Sequence, residues 1–500
     1  MRRPRASAAS CVHPRGWLAA ALLGLSLGAA GCAPAPQREG GGGGARFRGP
    51  IVVVTLSALR ADAVAREPSA TPRFDAFAAA ATWSGRAIAT SSWCAGSLGS
   101  VFTGLPPALH GAGHPAHPWL RPAVRTLAEE LTAAGFAAHG FYATPWVGPG
   151  FGMERGFAAL RPLRRRAAER YLGALEGGPS FTWIQLPLPG LATAEAPGDR
   201  AARRARARRG SPPSVVAVSH APTEPRPPTA GGDKDDGDDG EDYEARVREG
   251  DRRLGRVLDE LRRSERYDEA IVVVLADHGD GAGGAGGATS SEDIERSSVE
   301  VPLAVKLPAS LASRLRTPLD RPVGLDRIFA TVVELSGGRP VPAAAPSLLR
   351  AVEWPAVSEL WFADGFHEIG LYQDGHRLRW RCRFAETDLG FARARREALA
   401  GAGSVAFGEE VERLESIWRR RPACTLGEDV VLEAWPRAGG VVRVEDGARA
   451  ARMIDRLRAL RSFPPPWSVQ APHAPPVLRR RDLRALAAWG LPVPAQWAQP

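Results

Sequence analysis

Side chains able to do chemistry gather at two places in this chain. Ser57-Ala58-Leu59-Arg60-Ala61-Asp62 follows the β-branched run at 51–56, and Asp277-His278-Gly279-Asp280 follows the run at 271–275. A carboxylate beside an imidazole at a strand end can hold a divalent cation or move a proton. Equally, Asp277 can be a helix N-cap and His278 a satisfied loop histidine. Cys94 is a nucleophile if its thiol ionises and an inert, half-buried group if it does not. His110, His114 and His117 are metal ligands by type, but their proline-rich spacing fits no zinc pattern and predicts loop residues. The acidic run from Asp233 to Asp242 fails as a calcium loop, because Gly237 stands at the fifth position, where an oxygen ligand is expected.

The elements that must carry these residues alternate. Residues 51–56, 136–142, 181–186 and 271–275 read as buried strands. Thr71-Pro72 opens a helix through Phe74 and Phe77, a second helix spans 124–134 and ends at Gly135, and Val247, Leu254, Val257, Leu258 and Leu261 recur at helical spacing. Such alternation predicts an α/β domain over 51–345, with a mostly parallel central sheet flanked by helices. Its ligands would sit beyond the carboxyl ends of the strands, where both polar clusters lie. Residues 191–242 interrupt the pattern. They are basic, then proline-rich, then acidic, with too few apolar groups to offset ordering entropy, and predict a disordered surface insertion. From 346 to 500 the character changes to a smaller α+β subdomain, with an Asp374-Gly375 hairpin and helices near 393–400 and 448–460.

Composition narrows the class. The 500 residues are 44% hydrophobic and 24% charged, as in an ordinary folded protein rather than a coiled coil or a multi-span membrane protein. The net charge of +10 invites a nucleic-acid reading. Among the 65 basic residues, however, only Lys234 and Lys306 are lysine. That arginine bias accompanies abundant Ala, Gly and Pro and no aromatic-interleaved basic stripe, so nucleic acid is excluded as a partner. At the amino end, Arg2, Arg3, Arg5 and Arg15 precede an apolar stretch at 17–30, shorter than the roughly 20 residues that span a bilayer. Leu27-Gly28-Ala29-Ala30-Gly31-Cys32 resembles a bacterial lipobox. The resemblance implies a signal peptide at 1–31, a lipid on Cys32, and residues 32–50, with their glycine run, as a flexible tether to the cell envelope, the outer membrane in particular.

Several collinear segments carry a second resemblance. They are residues 57–62, Thr71 to Ala78, Ser91-Ser92-Trp93-Cys94-Ala95-Gly96-Ser97, Thr103-Gly104-Leu105-Pro106, His110-Gly111, Ala276 to Asp280 and Val301-Pro302-Leu303. Together they resemble the sulfatase family of the alkaline-phosphatase-like superfamily. That resemblance implies a sulfuric ester hydrolase fold. A cysteine in the pattern Cys-x-Pro-x-Arg would be oxidised to formylglycine, strand-end carboxylates would hold a divalent cation, usually calcium, and histidines and lysines would bind sulfate. Cys94 falls on the nucleophile and Asp277 and His278 on metal positions, while Arg60 and Lys306 are candidate substrate-binding residues. Lys306 reads equally as a snorkelling surface lysine.

The chain also departs from that pattern. Gly96 and Leu98 stand where proline and arginine are expected, and Ser57 stands where the first strand should end in a metal-binding aspartate. The strand at 181–186 delivers no histidine. These departures predict a protein whose catalysis is weakened or lost and whose cleft takes a sulfated or phosphorylated ligand. The alternative is an active metal-dependent sulfate or phosphate ester hydrolase using Cys94. With Cys94 inside the motif, Cys382 and Cys424 are the expected disulfide in an exported protein, a pairing that sequence alone leaves open.

Overall fold

The computed structural model describes residues 46–64, 68–113, 119–164, 166–175, 177–189, 236–280, 294–318, 321–361, 366–383, 430–436 and 440–460. Cys32 and its flanks, residues 191–235, His114, His117, the helix expected near 393–400, Cys424 and the side chain of Cys382 lie outside the described residues.

Strand β1 (Pro50–Ser57) is buried along its whole length. It runs parallel to β5 (Ser180–Pro187) on one side and β6 (Ile271–Leu275) on the other, with Val54 opposite Ile184 and Val274. Burial on both faces makes it an unbroken apolar run instead of an alternating one. Beyond β5 lie β3 (Ala137–Tyr142) and the edge strand β4 (Ala159–Pro162). Beyond β6 lie β7 (Glu300–Lys306), β2 (Trp83–Ile88) and β8 (Val323–Gly324). Only β7 is antiparallel to its neighbours, so the sheet is mostly parallel, as expected.

The helices are α1 (Pro72–Ala80), α2 (Cys94–Thr103), the single turn α3 (Pro107–His110), α4 (Leu127–Ala133), α5 (Ala167–Gly173), α6 (Asp236–Arg263), the single turn α7 (Arg296–Val299), α8 (Arg327–Leu335) and α9 (Gly447–Leu460). None among the described residues is long and apolar enough to cross a membrane. Pro72 opens α1 as predicted, but Thr71 does not cap it: its hydroxyl donates to Asp75 at 3.1 Å. The free N–H groups of Arg73 and Phe74 go instead to the Asp251 carboxylate of α6, at 2.9 and 2.8 Å. Helix α4 starts at Leu127, later than position 124, because Thr126 and Glu129 close a capping box there. Helix α6 begins inside the span read as an insertion. Its first residue is Asp236.

A second, antiparallel sheet follows in the order β13-β12-β11-β10-β9. It comprises β9 (Ala356–Trp361), β10 (Phe366–Gln373), β11 (His376–Arg383), β12 (Val430–Ala434) and β13 (Val442–Arg443). Asp374 and Gly375 turn the β10–β11 hairpin with φ of 51° and 69°, the left-handed pair that a two-residue turn requires. Ile369, Leu371, Leu378, Leu432, Met453 and Leu457 give this sheet and α9 a small core of their own. Buried Arg377, held within this sheet by Glu433 at 2.5 Å, donates outward to the Ile294 carbonyl before α7 at 2.7 Å, and Trp435 donates to Glu300 of β7 at 2.7 Å, fastening the sheet to the first.

Candidate functional site

The carboxyl ends of β1, β5 and β6 meet the first turn of α2, and four of the sequence-predicted groups converge there. Ser57 ends β1, and its hydroxyl donates to Asp277 Oδ2 at 3.1 Å. The backbone N–H of His278 donates to Asp277 Oδ1 at 3.0 Å, so both carboxylate oxygens are engaged. On the other side, Gln185 Nε2 donates to Ser57 Oγ and to Thr144 Oγ1, each at 3.1 Å. Gln185 Oε1 accepts the N–H groups of Ala143 and Thr144 at 2.8 and 3.0 Å. Thr144 Oγ1 stands 3.8 Å from Cys94 Sγ. A continuous relay, Cys94–Thr144–Gln185–Ser57–Asp277–His278, therefore crosses three strands.

The backbone builds this relay at some cost. Ala58, just past Ser57, has φ of 68°, a left-handed conformation that strains a side chain bearing a Cβ. Tyr243 of α6 holds the bend, donating its hydroxyl to the Ala58 carbonyl at 3.1 Å and accepting the Arg60 N–H at 3.0 Å. Gly279 is required by close approach, since a Cβ there would lie 1.8 Å from the Ser297 carbonyl oxygen.

Electrostatics follow from burial. Asp277 is fully buried, and desolvation raises its pKa above the usual carboxylate range against the opposing pull of His278 and Ser57. Cys94 occupies the first position of α2, where a helix dipole would favour a thiolate. Burial overrides this, and the negative charge of Asp277 adds to it, so the thiol pKa rises far above its ordinary value. At neutral pH Cys94 is a protonated thiol. The His278 side chain is 15% exposed; Nδ1 donates to the Gly279 carbonyl at 2.7 Å, and Nε2 stands 3.9 Å from Asp277 Oδ1.

The two departures from the nucleophile motif have structural reasons. Gly96 leaves room for Ser91, whose Cβ would lie 2.8 Å from a Cβ at position 96. Leu98 is 0% exposed within the main hydrophobic core, where a guanidinium would be desolvated.

Two predicted site residues are corrected. Lys306 pairs in register with Val272, at the amino end of β6 and so at the far end of the sheet from Asp277. Its ammonium serves the carbonyls of Tyr267, Asp268 and Ala270 and faces the Tyr267 ring. Lys306 is thereby committed to loop carbonyls. Arg60 does reach the rim, its stem lying beside Gly279, but its guanidinium grips Asp62 through two hydrogen bonds at 2.8 and 2.5 Å. That pairing raises its pKa and occupies Asp62 as well. His110 is also not a loop residue. It ends α3, fully buried, with Nε2 donating to the Gly96 carbonyl at 3.0 Å and Nδ1 accepting the Ala112 N–H at 3.1 Å.

A calcium ion takes about 6–8 oxygens, several of them charged. Here the relay offers one carboxylate, and its neutral oxygens are spent on one another; among the described residues no group of three His, Cys, Asp or Glu side chains is positioned for a metal. This donor set does not fit the ion. Thr144 and Gln185 escaped the sequence reading. The available signal was an amide in the middle of an otherwise apolar strand, which in a sheet buried on both faces must find polar partners.

The sulfatase family model matches residues 51–338. Among solved structures the chain is similar to a 2-O GAG sulfatase, with a TM-score of 0.50 and 13% identity over 85% of this chain and 98% of that one. It is also similar to a protein in the alkaline phosphatase superfamily from Vibrio parahaemolyticus, with a TM-score of 0.51 and 14% identity over 83% of this chain and 86% of that one. At such identities the likeness is one of fold. A search of curated proteins finds no match.

Proposed function

The chain belongs to the sulfatase family, and from that premise we propose that it is a member whose hydrolytic centre has been replaced by a closed hydrogen-bonded relay, so that it binds a sulfated or phosphorylated ligand without cleaving it. The observation that carries this reading is the Ser57–Asp277 hydrogen bond, which spends on a hydroxyl the carboxylate oxygen that an ion would need. A buried, protonated Cys94 beside Gly96 and Leu98 agrees with it, because neither a thiolate nor the expected modification motif is available. His278, 15% exposed beside the relay, supplies the polar group that a sulfate or phosphate would meet. Export through residues 1–31, with lipid on Cys32 and the 32–50 tether holding the protein to the bacterial outer membrane, is part of the same proposal and rests on the lipobox resemblance.

Mass spectrometry of the exported protein should find residue 94 as an unmodified thiol. Elemental analysis should find calcium well below one per chain, and p-nitrophenyl sulfate should remain uncleaved. An aldehyde at residue 94 accompanied by hydrolysis would overturn the reading. Palmitate labelling should be lost in Cys32→Ala; labelling that persists would remove the anchor.

A further inference from the structure

A cavity bordered by described residues lies away from the relay, at the β4 edge of the sheet. It encloses about 850 Å³, within the range of ligand sites, and wraps the edge strand between α5 and the loop that precedes β4. Its walls are aromatic: Phe141 and Tyr171, with ring centroids 5.6 Å apart, and Phe157, stacked on Phe181 at 5.6 Å. The Tyr171 ring is held in place by His139, with Oη and Nδ1 2.7 Å apart and ring centroids 4.7 Å apart. Its charged lining is mostly cationic, Arg161, Arg164 and Arg170 against the one carboxylate of Glu154. Among the described residues neither Arg161 nor Arg164 is paired with a carboxylate, unlike Arg60 or Arg246 at the central cleft. The charge of Arg161 acts on both His139 and Tyr171.

We propose that this cleft is a second ligand site, for a ring compound bearing several anionic groups, such as a polysulfated or polyphosphorylated sugar. Rigid aromatic faces accept the ring by stacking, and forked guanidinium groups accept two oxygens each from sulfate or phosphate. An extended acidic peptide added to the sheet edge is the competing occupant. It fits less well, because Pro162 closes the edge strand with a residue that has no N–H to donate. The site stands apart from the proposed function, since it uses none of the relay residues.

Calorimetric titration of the full-length chain with sucrose octasulfate tests it, with sucrose, inorganic sulfate and a glutamate oligomer as comparison probes. We expect binding that each of Arg161→Ala and Arg164→Ala weakens by about tenfold or more. We also expect it to survive His278→Ala, to weaken with salt, and to exceed the affinity for the three comparison probes. Unchanged affinity in the Arg161→Ala/Arg164→Ala double variant would overturn the site, as would equal affinity for the glutamate oligomer or for inorganic sulfate. Loss of binding in His278→Ala alone would move the sugar to the central cleft, overturning this site and leaving the proposed function standing. Because both arginines are exposed, their removal leaves the core intact.

Discussion

Ser57 and Asp277, 220 residues apart in sequence, meet at 3.1 Å where β1 and β6 end side by side, and both are buried. The hydroxyl donates to the carboxylate and receives the Gln185 amide in return. Removing it in Ser57→Ala leaves an acceptor and a donor unpaired away from water, and should cost about 1–3 kcal/mol in urea unfolding. Ser57→Asp should cost more. It brings two buried carboxyls together and raises the folded-state pKa of the pair further. A raised carboxyl pKa stabilises the fold below the unfolded value and loses that stability as pH rises, so this variant should unfold more readily at pH 8 than at pH 5. Equal stability at both pH values would contradict the assignment.

His110 predicts the opposite slope. Burial lowers its pKa from 6.5 to about 3, so the folded state holds the neutral ring. Its contribution is complete above pH 6.5 and is lost as pH falls toward 3, by about 1.4 kcal/mol per unit. His110→Gln should lower stability at pH 7 and flatten the acid limb of the stability–pH curve. An unchanged acid limb would mean that another group governs it.

Cys94 should react slowly. With its pKa raised by burial and by Asp277, native protein at pH 8 should alkylate with iodoacetamide at least about a hundredfold more slowly than an unfolded control. Asp277→Asn removes the nearby negative charge and should speed the reaction, if the variant's circular dichroism stays native. A thiol that reacts as fast in the native protein as when unfolded would place it outside the core.

Restoring the family motif should fail on stability before it can succeed in chemistry. Leu98→Arg buries an unpaired guanidinium in the core and should cost about 3 kcal/mol or more, read as a fall in Tm. Gly99→Ala tests the neighbouring packing, because its Cβ would lie 2.5 Å from the His110 ring. It should also lower Tm, and a neutral result would mean that the α2–α3 contact can open to admit a methyl group.

Much of this was legible in the chain. The apolar runs of β1, β5 and β6, the proline at the start of α1 and the Asp374-Gly375 turn each declare themselves locally, because strand burial, φ restriction and left-handed turn geometry are properties of short segments. The collinear motifs placed Ser57, Cys94, Asp277 and His278 at strand and helix ends, and those ends converge. Other features depend on what packs nearby. Only the sheet register sends Lys306 to the wrong end of β6, since β7 runs antiparallel and residue numbering carries no direction. The tertiary structure alone pairs Arg60 with Asp62, gives Asp251 of α6 to the start of α1, and threads Gln185 and Thr144 between a thiol and a serine. Hydrogen bonds between groups distant in sequence exist only once the sheet has assembled. Residue type and spacing thus determined which chemistry the strand ends offer. Packing decided that the Asp277 carboxylate is committed to a hydroxyl, because a buried acceptor takes the nearest donor that the fold supplies.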